Sequence, residues 1–323
     1  MSITADTAST SPFKILSLDG GGAKGFYTLG VLKEIEALTG DKLYKTFDLV
    51  FGTSTGAIIA SLIALGYDID SITTLYRTHV PNIMKNKTRA GRTSSLTKLA
   101  NEIFGNTQFT DMKTGLGVVA SSWEEEKPKI FKSDPKQAHG RHASFVPGFG
   151  VPVKDAIRAS CSAFPFFERT TVKTNLGEKI ELIDGGFCAN NPTLYAIADA
   201  VKSLRKPKNE IRVVSVGVGL YPKPRGSIVE RLINRLISVR LLQKTLEINT
   251  QSMDQLRNIL FKDIETIRIS DAFTEPHMAT DLLEHNIEKL DLLFQRGRTS
   301  FTQYEGKLKN MLHSKNTDAE NFV

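Results

Sequence analysis

Three glycine-rich turns, each directly after a short apolar run, confine this 323-residue chain to a narrow set of folds. The runs are Phe13–Leu18, Phe47–Phe51 and Lys179–Ile183. The turns are Asp19-Gly20-Gly21-Gly22-Ala23-Lys24-Gly25, Gly52-Thr53-Ser54-Thr55-Gly56 and Asp184-Gly185-Gly186. Further strand candidates are Gly115–Ala120, Lys129–Phe131, Ile211–Val216 and Thr266–Ile269, and residues 121–150 read as a hairpin with a surface loop. Helical periodicity occupies about 24–38, 55–66, 68–78, 94–104, 153–161, 192–205, 227–260 and 280–312. Strands alternating with helices predict an α/β fold, a mainly parallel central sheet with helices on both faces. Several strands are continuous apolar runs, as burial on both sides requires. Sites in such sheets form beyond the carboxyl ends of strands, so the three turns are expected to meet in one crevice.

Composition fits a soluble globular protein, with 40% hydrophobic and 24% charged residues. The simplest division is a flexible N-terminus at 1–12, one α/β domain over 13–312 with a basic helical part from about 220, and a flexible tail at 313–323. Met1 to Pro12 has no apolar core of a signal peptide. The most apolar stretch, residues 57–65, is too short to span a bilayer, so a cytoplasmic location is expected. Cys161 and Cys188 lie in no metal-ligand spacing and cannot form a disulfide framework. They read as buried thiols, and no metal is expected. The net charge of +7 points to an anionic partner. One basic zone runs from Lys85 to Lys98 with no acidic residue; another runs through Lys202, Arg205, Lys206, Lys208 and Arg212 and on to Arg240. Each zone taken alone also fits an ordinary solvated face.

The turn at Ser54 carries the chemistry. Strand, tight turn and helix in succession push a hydroxyl out above the sheet edge, and the following helix aims its positive dipole at charge developing there. A serine presented in this way is a candidate nucleophile. The first turn satisfies G-x-G-x-x-G at Gly20, Gly22 and Gly25, a weak dinucleotide signal without a clearly placed ribose-binding acid. It is not a P-loop, because Phe26 follows Gly25. Glycine N–H groups at a helix start also suit an oxyanion. A nucleophilic serine needs a base. Chain order in α/β-hydrolases would nominate His277 or His285, yet neither sits on a glycine-rich loop at a strand end. Asp184 ends an apolar strand and opens a turn, where a partly buried carboxylate can accept the serine proton. Taken alone, Asp-Gly-Gly is also an ordinary turn.

In order, Asp19–Gly25, Gly52–Gly56 and Asp184–Gly186 resemble the patatin-like phospholipase family. Ala159-Ser-Cys-Ser-Ala-Phe-Pro-Phe-Phe167 is similar to its Ser-Ala-Ala-Pro segment, and Asn190-Asn191-Pro192 follows as in that family. The likeness spans residues 13–200. It implies a patatin-like three-layer fold, a catalytic dyad of Ser54 and Asp184, and an oxyanion hole from the turn holding Gly20, Gly21, Gly22, Lys24 and Gly25. Gly52, Gly56, Gly185 and Gly186 shape the other two turns. The implied reaction is hydrolysis of acyl esters in membrane phospholipids, without metal or cofactor. Lys24 stands where the family often has arginine, so the charge is kept and the planar fork is lost.

The basic helical region beyond the third turn narrows the resemblance. The chain looks like bacterial patatin-like effectors of antiphage signalling, which a cyclic oligonucleotide switches on to degrade phospholipid. Arg89, Arg92, Arg225, Arg231 and Arg235 are then candidates for contact with the nucleotide or with the inner face of the cell membrane. Phe145, Val146, Pro147 and Phe149 are candidates either for dipping into that interface or for core packing. No DNA partner is expected, and homo-oligomer formation is left open. Two other readings remain: a constitutive or otherwise regulated esterase without a nucleotide ligand, and a non-catalytic nucleotide-binding protein using the glycine turns.

Overall fold

The computed structural model describes residues 11–139, 145–222 and 235–313, with the backbone alone over 235–240. Eight strands form one sheet: β1 (Phe13–Leu18), β2 (Leu49–Thr53), β3 (Gly115–Ser122), β4 (Pro128–Lys132), β5 (Thr170–Lys173), β6 (Lys179–Asp184), β7 (Ile211–Val216) and β8 (Glu265–Ile269). Their order is β5-β6-β3-β2-β1-β7-β8, with β4 paired to β3. From β3 through β8 the sheet is parallel, while β4 and β6 run antiparallel to β3, and β5 antiparallel to β6.

The helices are α1 (Gly25–Thr39), α2 (Leu43–Thr46), α3 (Thr55–Leu65), α4 (Ile69–Lys85), α5 (Arg89–Phe104), α6 (Val153–Ser160), α7 (Gly186–Ala189), α8 (Thr193–Ala198), α9 (Arg235–Leu260), α10 (Ile287–Thr302) and α11 (Glu305–His313). α3 is buried on every side from Thr55 to Ala64, so its sequence is apolar all round rather than striped. The larger core lies between the sheet and α1, α3, α4 and α5. A smaller one on the opposite face joins Ile15, Phe51 and Val213 to Ala196 and Ile197 of α8. The two cores give the three layers expected from the alternation. α10 docks on α1 at Gly30 and Gly297, where a Cβ would fall 2.0 Å from the carbonyl oxygens of Phe294 and Tyr27.

β1 and β7 lie where their apolar runs place them. β5 has no counterpart among the expected strands, because four residues of alternating burial give almost no pattern. α4 runs seven residues past the expected end at 78, through Pro81, because Tyr76, Val80 and Ile83 continue one buried face. α5 begins five residues early, where the Thr88 side chain caps the Gly91 N–H. The span 280–312 divides into α10 and α11, so His313 ends a helix instead of opening a tail. Residues 1–10 and 314–323 lie outside the described residues. Cys161 is buried and Cys188 half-buried, both free thiols. Among the described residues no helix is long and apolar enough to cross a membrane.

β6 departs most from expectation. Val119 pairs with Thr53 of β2 and Ile130 of β4, so those strands take opposite edges of β3. Ala120 pairs with Lys129 of β4 and Asp184 of β6, so β6 also lies opposite β4. β2 and β6 therefore share one edge of β3 and meet head-on, carboxyl end to carboxyl end. The third turn reaches the crevice against the direction of the parallel strands.

Candidate active site

Ser54 stands at this junction with φ 53° and ψ −122°, a left-handed conformation that costs a non-glycine residue about 1–3 kcal/mol. The turn closes so tightly that a Cβ at Gly52 would meet the Gly56 oxygen at 2.3 Å. A Cβ at Gly56 would meet the Leu18 oxygen at the same distance. Glycine at both positions is thus required by space. The Tyr76 hydroxyl donates to the Thr55 carbonyl at 2.7 Å and secures the first turn of α3 behind the serine.

The segment Ser160-Cys161-Ser162 straps both candidate residues together. Ser160 Oγ accepts the Ser54 N–H at 2.9 Å and donates to the Val119 carbonyl at 2.6 Å. The Ser162 carbonyl accepts the Asp184 N–H at 3.0 Å, and the Ser160 carbonyl accepts the Gly185 N–H at 3.3 Å. Asp184 is 2% exposed. One of its carboxylate oxygens accepts the Gly186 N–H at 2.7 Å, and Ser54 and Asp184 line one cavity, the hydroxyl near enough to favour the charged carboxylate. Burial pushes the Asp184 pKa up to about 7, against the pull of the Gly186 N–H and the nearby Ser54 hydroxyl. Burial and the neighbouring Asp184 charge raise the Cys161 thiol, which leaves it protonated beside the serine.

The glycine turn is divided in its tasks. The Gly20 N–H, an expected oxyanion donor, is already given to the Asn190 carbonyl at 3.0 Å. The N–H groups of Gly21 and Gly22 have no acceptor among the described residues, and both glycines line the cavity holding Ser54 and Asp184. Gly22 has φ +59°, and a Cβ there would meet the Leu282 oxygen at 2.5 Å. Gly25 starts α1 against Thr55. Lys24, grouped with the oxyanion turn from the sequence, does not line that cavity. It lines a separate polar cavity near Asp19 and Glu247.

Asn190 plays a part that the Asn190-Asn191-Pro192 motif does not disclose. It is 6% exposed, and its Nδ2 donates to the Gly20 carbonyl at 3.2 Å and to Thr250 Oγ1 at 2.8 Å. Its backbone N–H donates to Asn249 Oδ1 at 2.8 Å. The Gly20 C=O and Gly21 N–H belong to one planar peptide and point in opposite directions. Holding the carbonyl therefore aims the N–H. Ser160 stands inside the Ala159–Phe167 motif, and its hydrogen bonds to Ser54 and β3 are a matter of tertiary contact.

Beyond the serine the cavity is apolar, lined by Ile58, Ile83, Met84, Leu99, Phe166 and Phe167 among others. An acyl chain fits such a lining. Arg92 is 8% exposed, its guanidinium 5.9 Å from the Phe166 ring and donating to the Phe166 carbonyl at 3.4 Å. Arg89 Nε donates to the Pro165 carbonyl at 2.9 Å, with its guanidinium over Phe164. Arg92 thus braces the Phe166 wall of the apolar cavity, and, being buried, it is not turned outward to a nucleotide or bilayer. Arg225, Arg231 and the Arg235 side chain lie outside the described residues. Phe149 packs edge-on against Phe131 while Val146 is exposed, so that loop is divided between packing and surface. His277 and His285 are exposed, and His139 is bound to Asp199 at 2.8 Å. Among the described residues no group of three His, Cys, Asp or Glu side chains is placed to hold a metal ion.

A family model described as patatin-like phospholipase matches residues 16–197. The sequence is similar to a cUMP-AMP-activated phospholipase of Escherichia coli, 61% identical over 299 residues and 93% of each chain. It is 26% identical over 218 residues to a cGAMP-activated phospholipase of Pseudomonas aeruginosa, across 64% of this chain and 62% of that one. Among solved structures, VipD from Legionella pneumophila shares the fold with a TM-score of 0.50 at 13% identity, over 92% of this chain and 67% of that one.

Proposed function

We propose that this chain, which belongs to the patatin-like phospholipase family, hydrolyses acyl esters of membrane phospholipids through Ser54 and Asp184 and is switched on by a cyclic oligonucleotide. The observation that carries the chemistry is that Ser54 and the buried Asp184 carboxylate line one cavity beside two uncommitted glycine N–H groups. The support for the switch is the E. coli relative, matched over almost the full length of both chains.

Ionised Asp184 takes the Ser54 proton as Oγ attacks the ester carbonyl carbon. Negative charge gathers on the former carbonyl oxygen, where the Gly21 and Gly22 N–H groups and the start of α3 receive it. The carbon–oxygen bond to the lysophospholipid breaks, and the leaving oxygen takes the proton from Asp184. Water, deprotonated by the same carboxylate, then attacks the acyl-serine and restores both residues. The enzyme acts at the inner face of the cell membrane, drawn by its net charge of +7.

The test pairs a fluorophosphonate label with a vesicle assay. The label should attach at Ser54, and the Ser54→Ala variant should neither label nor release fatty acid. Adding cUMP-AMP or cGAMP should raise fatty-acid release by the wild type. Labelling at another residue defeats the nucleophile assignment. Equal release with and without every cyclic nucleotide favours a constitutive esterase.

A further inference from the structure

We propose that the polar cavity on the opposite side of the first glycine turn from Ser54 binds the activating cyclic dinucleotide, and that its occupancy reaches the reaction through Asn190. The proposal rests on the function proposed above. From β1 the chain builds outward through β2 to β3, then returns to the other side of β1 with β7 and β8. β1 and β7 thus flank the point where strand order reverses, the place where open α/β sheets take up nucleotides. The cavity lies beyond the carboxyl ends of these strands, with Asp19 after β1, Val218 after β7 and Ser270 after β8 in its wall. The Ser54 cavity lies one strand away, after β2.

The lining selects among anions. Gln243, Glu247, Thr250 and Asp254, spaced along one face of α9, look across at Gly20, Gly21 and Lys24. The charge of Asp19 is met by Arg268, which grips it through both Nη atoms, and that of Asp254 by Arg257 at 3.1 Å. Lys24 Nζ makes no hydrogen bond or ion pair among the described residues, and burial lowers its pKa against the pull of Glu247, Asp281 and Asp19. Asn190 Oδ1 is likewise buried without a hydrogen-bond partner. An uncommitted ammonium suits a phosphodiester. Carboxylate and amide oxygens suit the N–H edges of bases. Carboxylates in the wall disfavour a triphosphate, whereas a cyclic dinucleotide carries only two negative charges and several base N–H donors.

The two cavities share a thin wall: Gly21, Asn190, Leu246 and Leu282 line both. Asn249 and Thr250 of α9 hold Asn190, and Asn190 holds the Gly20 carbonyl whose peptide presents the Gly21 N–H. A ligand that bridges α9 and the glycine turn presses on both ends of that chain of bonds. Differential binding to the arrangement with a well-aimed N–H is all that activation requires.

The experiment measures cUMP-AMP and cGAMP binding to the full chain by calorimetry, in wild type, Gln251→Trp and Glu247→Lys. Gln251 is exposed at the cavity wall, so the tryptophan blocks space without entering the core. Both variants should bind the active nucleotide about ten-fold more weakly or worse. Wild type capped at Ser54 by a long-chain fluorophosphonate should still bind it. Unchanged affinity in both variants, or loss of binding on capping, would overturn the site while leaving nucleotide activation standing. Failure of the wild type to bind either nucleotide would remove the activator and the site together.

Discussion

Thr53 and Asp184 occupy consecutive pairing positions on one edge of β3, against Val119 and Ala120, although their strands run in opposite directions. The sheet itself thereby sets Ser54 beside Asp184. A hydroxyl and a carboxylate 130 residues apart in sequence are positioned by backbone hydrogen bonds, with the Ser160–Ser162 strap fixing what the ladder leaves free.

Activity should rise with pH through about 7 as Asp184 ionises, because only the carboxylate can take the serine proton. Asp184→Asn should lower kcat by about 10²- to 10⁴-fold. A kcat profile flat from pH 5.5 to 8.5 would rule out Asp184 as the base.

The same burial makes the base a liability to the fold. Its folded pKa lies above the unfolded value, so the contribution to stability is full below about pH 4 and is lost as pH climbs to about 7. About 4 kcal/mol is involved at most, from roughly three pKa units at 1.36 kcal/mol each. Thermal melts of Asp184→Asn should gain on wild type between pH 4 and pH 8. A difference in Tm that does not change with pH would contradict this linkage.

Asn190→Ala should leave KM nearly unchanged and lower kcat by about ten- to a hundred-fold, since it frees the peptide that presents the Gly21 N–H. Asn190→Asp keeps the volume but sets an oxygen against the Gly20 carbonyl, so it should fail similarly. Rescue by aspartate would mean that the side chain only fills space.

How far the sequence disclosed this site follows from the range of each interaction. Gly52 and Gly56 are legible because a strand, a tight turn and a helix are local, and the crowding that demands glycine arises within the turn and from the neighbouring β1. The apolar runs of β1 and β7 are legible for the same reason. The direction of β6 is not, since Lys-Ile-Glu-Leu-Ile-Asp reads alike in a parallel or antiparallel pair. The commitment of the Gly20 N–H to Asn190, 170 residues away, has no local signature. Nor has the inward turn of Arg92: a charged residue in a basic run looks exposed until Phe166 is known to lie beside it.

Met84 is half-buried and lines the apolar cavity beyond Ser54, so Met84→Trp should shorten it without reaching the dyad. Hydrolysis of long-chain p-nitrophenyl esters should fall about ten-fold or more relative to butyrate, in keeping with about 1–3 kcal/mol for each displaced methylene. An unchanged chain-length profile would place the acyl chain elsewhere.

Arg268 and Asp19 join the start of the glycine turn to β8, with Asp19 2% exposed and Arg268 also donating to Ser215 at 2.8 Å. Arg268→Met would leave a buried carboxylate unpaired, which costs about 3–5 kcal/mol. The charge stands one residue before Gly20, so the loss should appear in the turn as well as in the fold. Urea denaturation without nucleotide should show the drop, and Asp19→Asn added to Arg268→Met should recover much of it by removing the unpaired charge. If the single and double variants unfold at the same urea concentration, the pair contributes through packing alone.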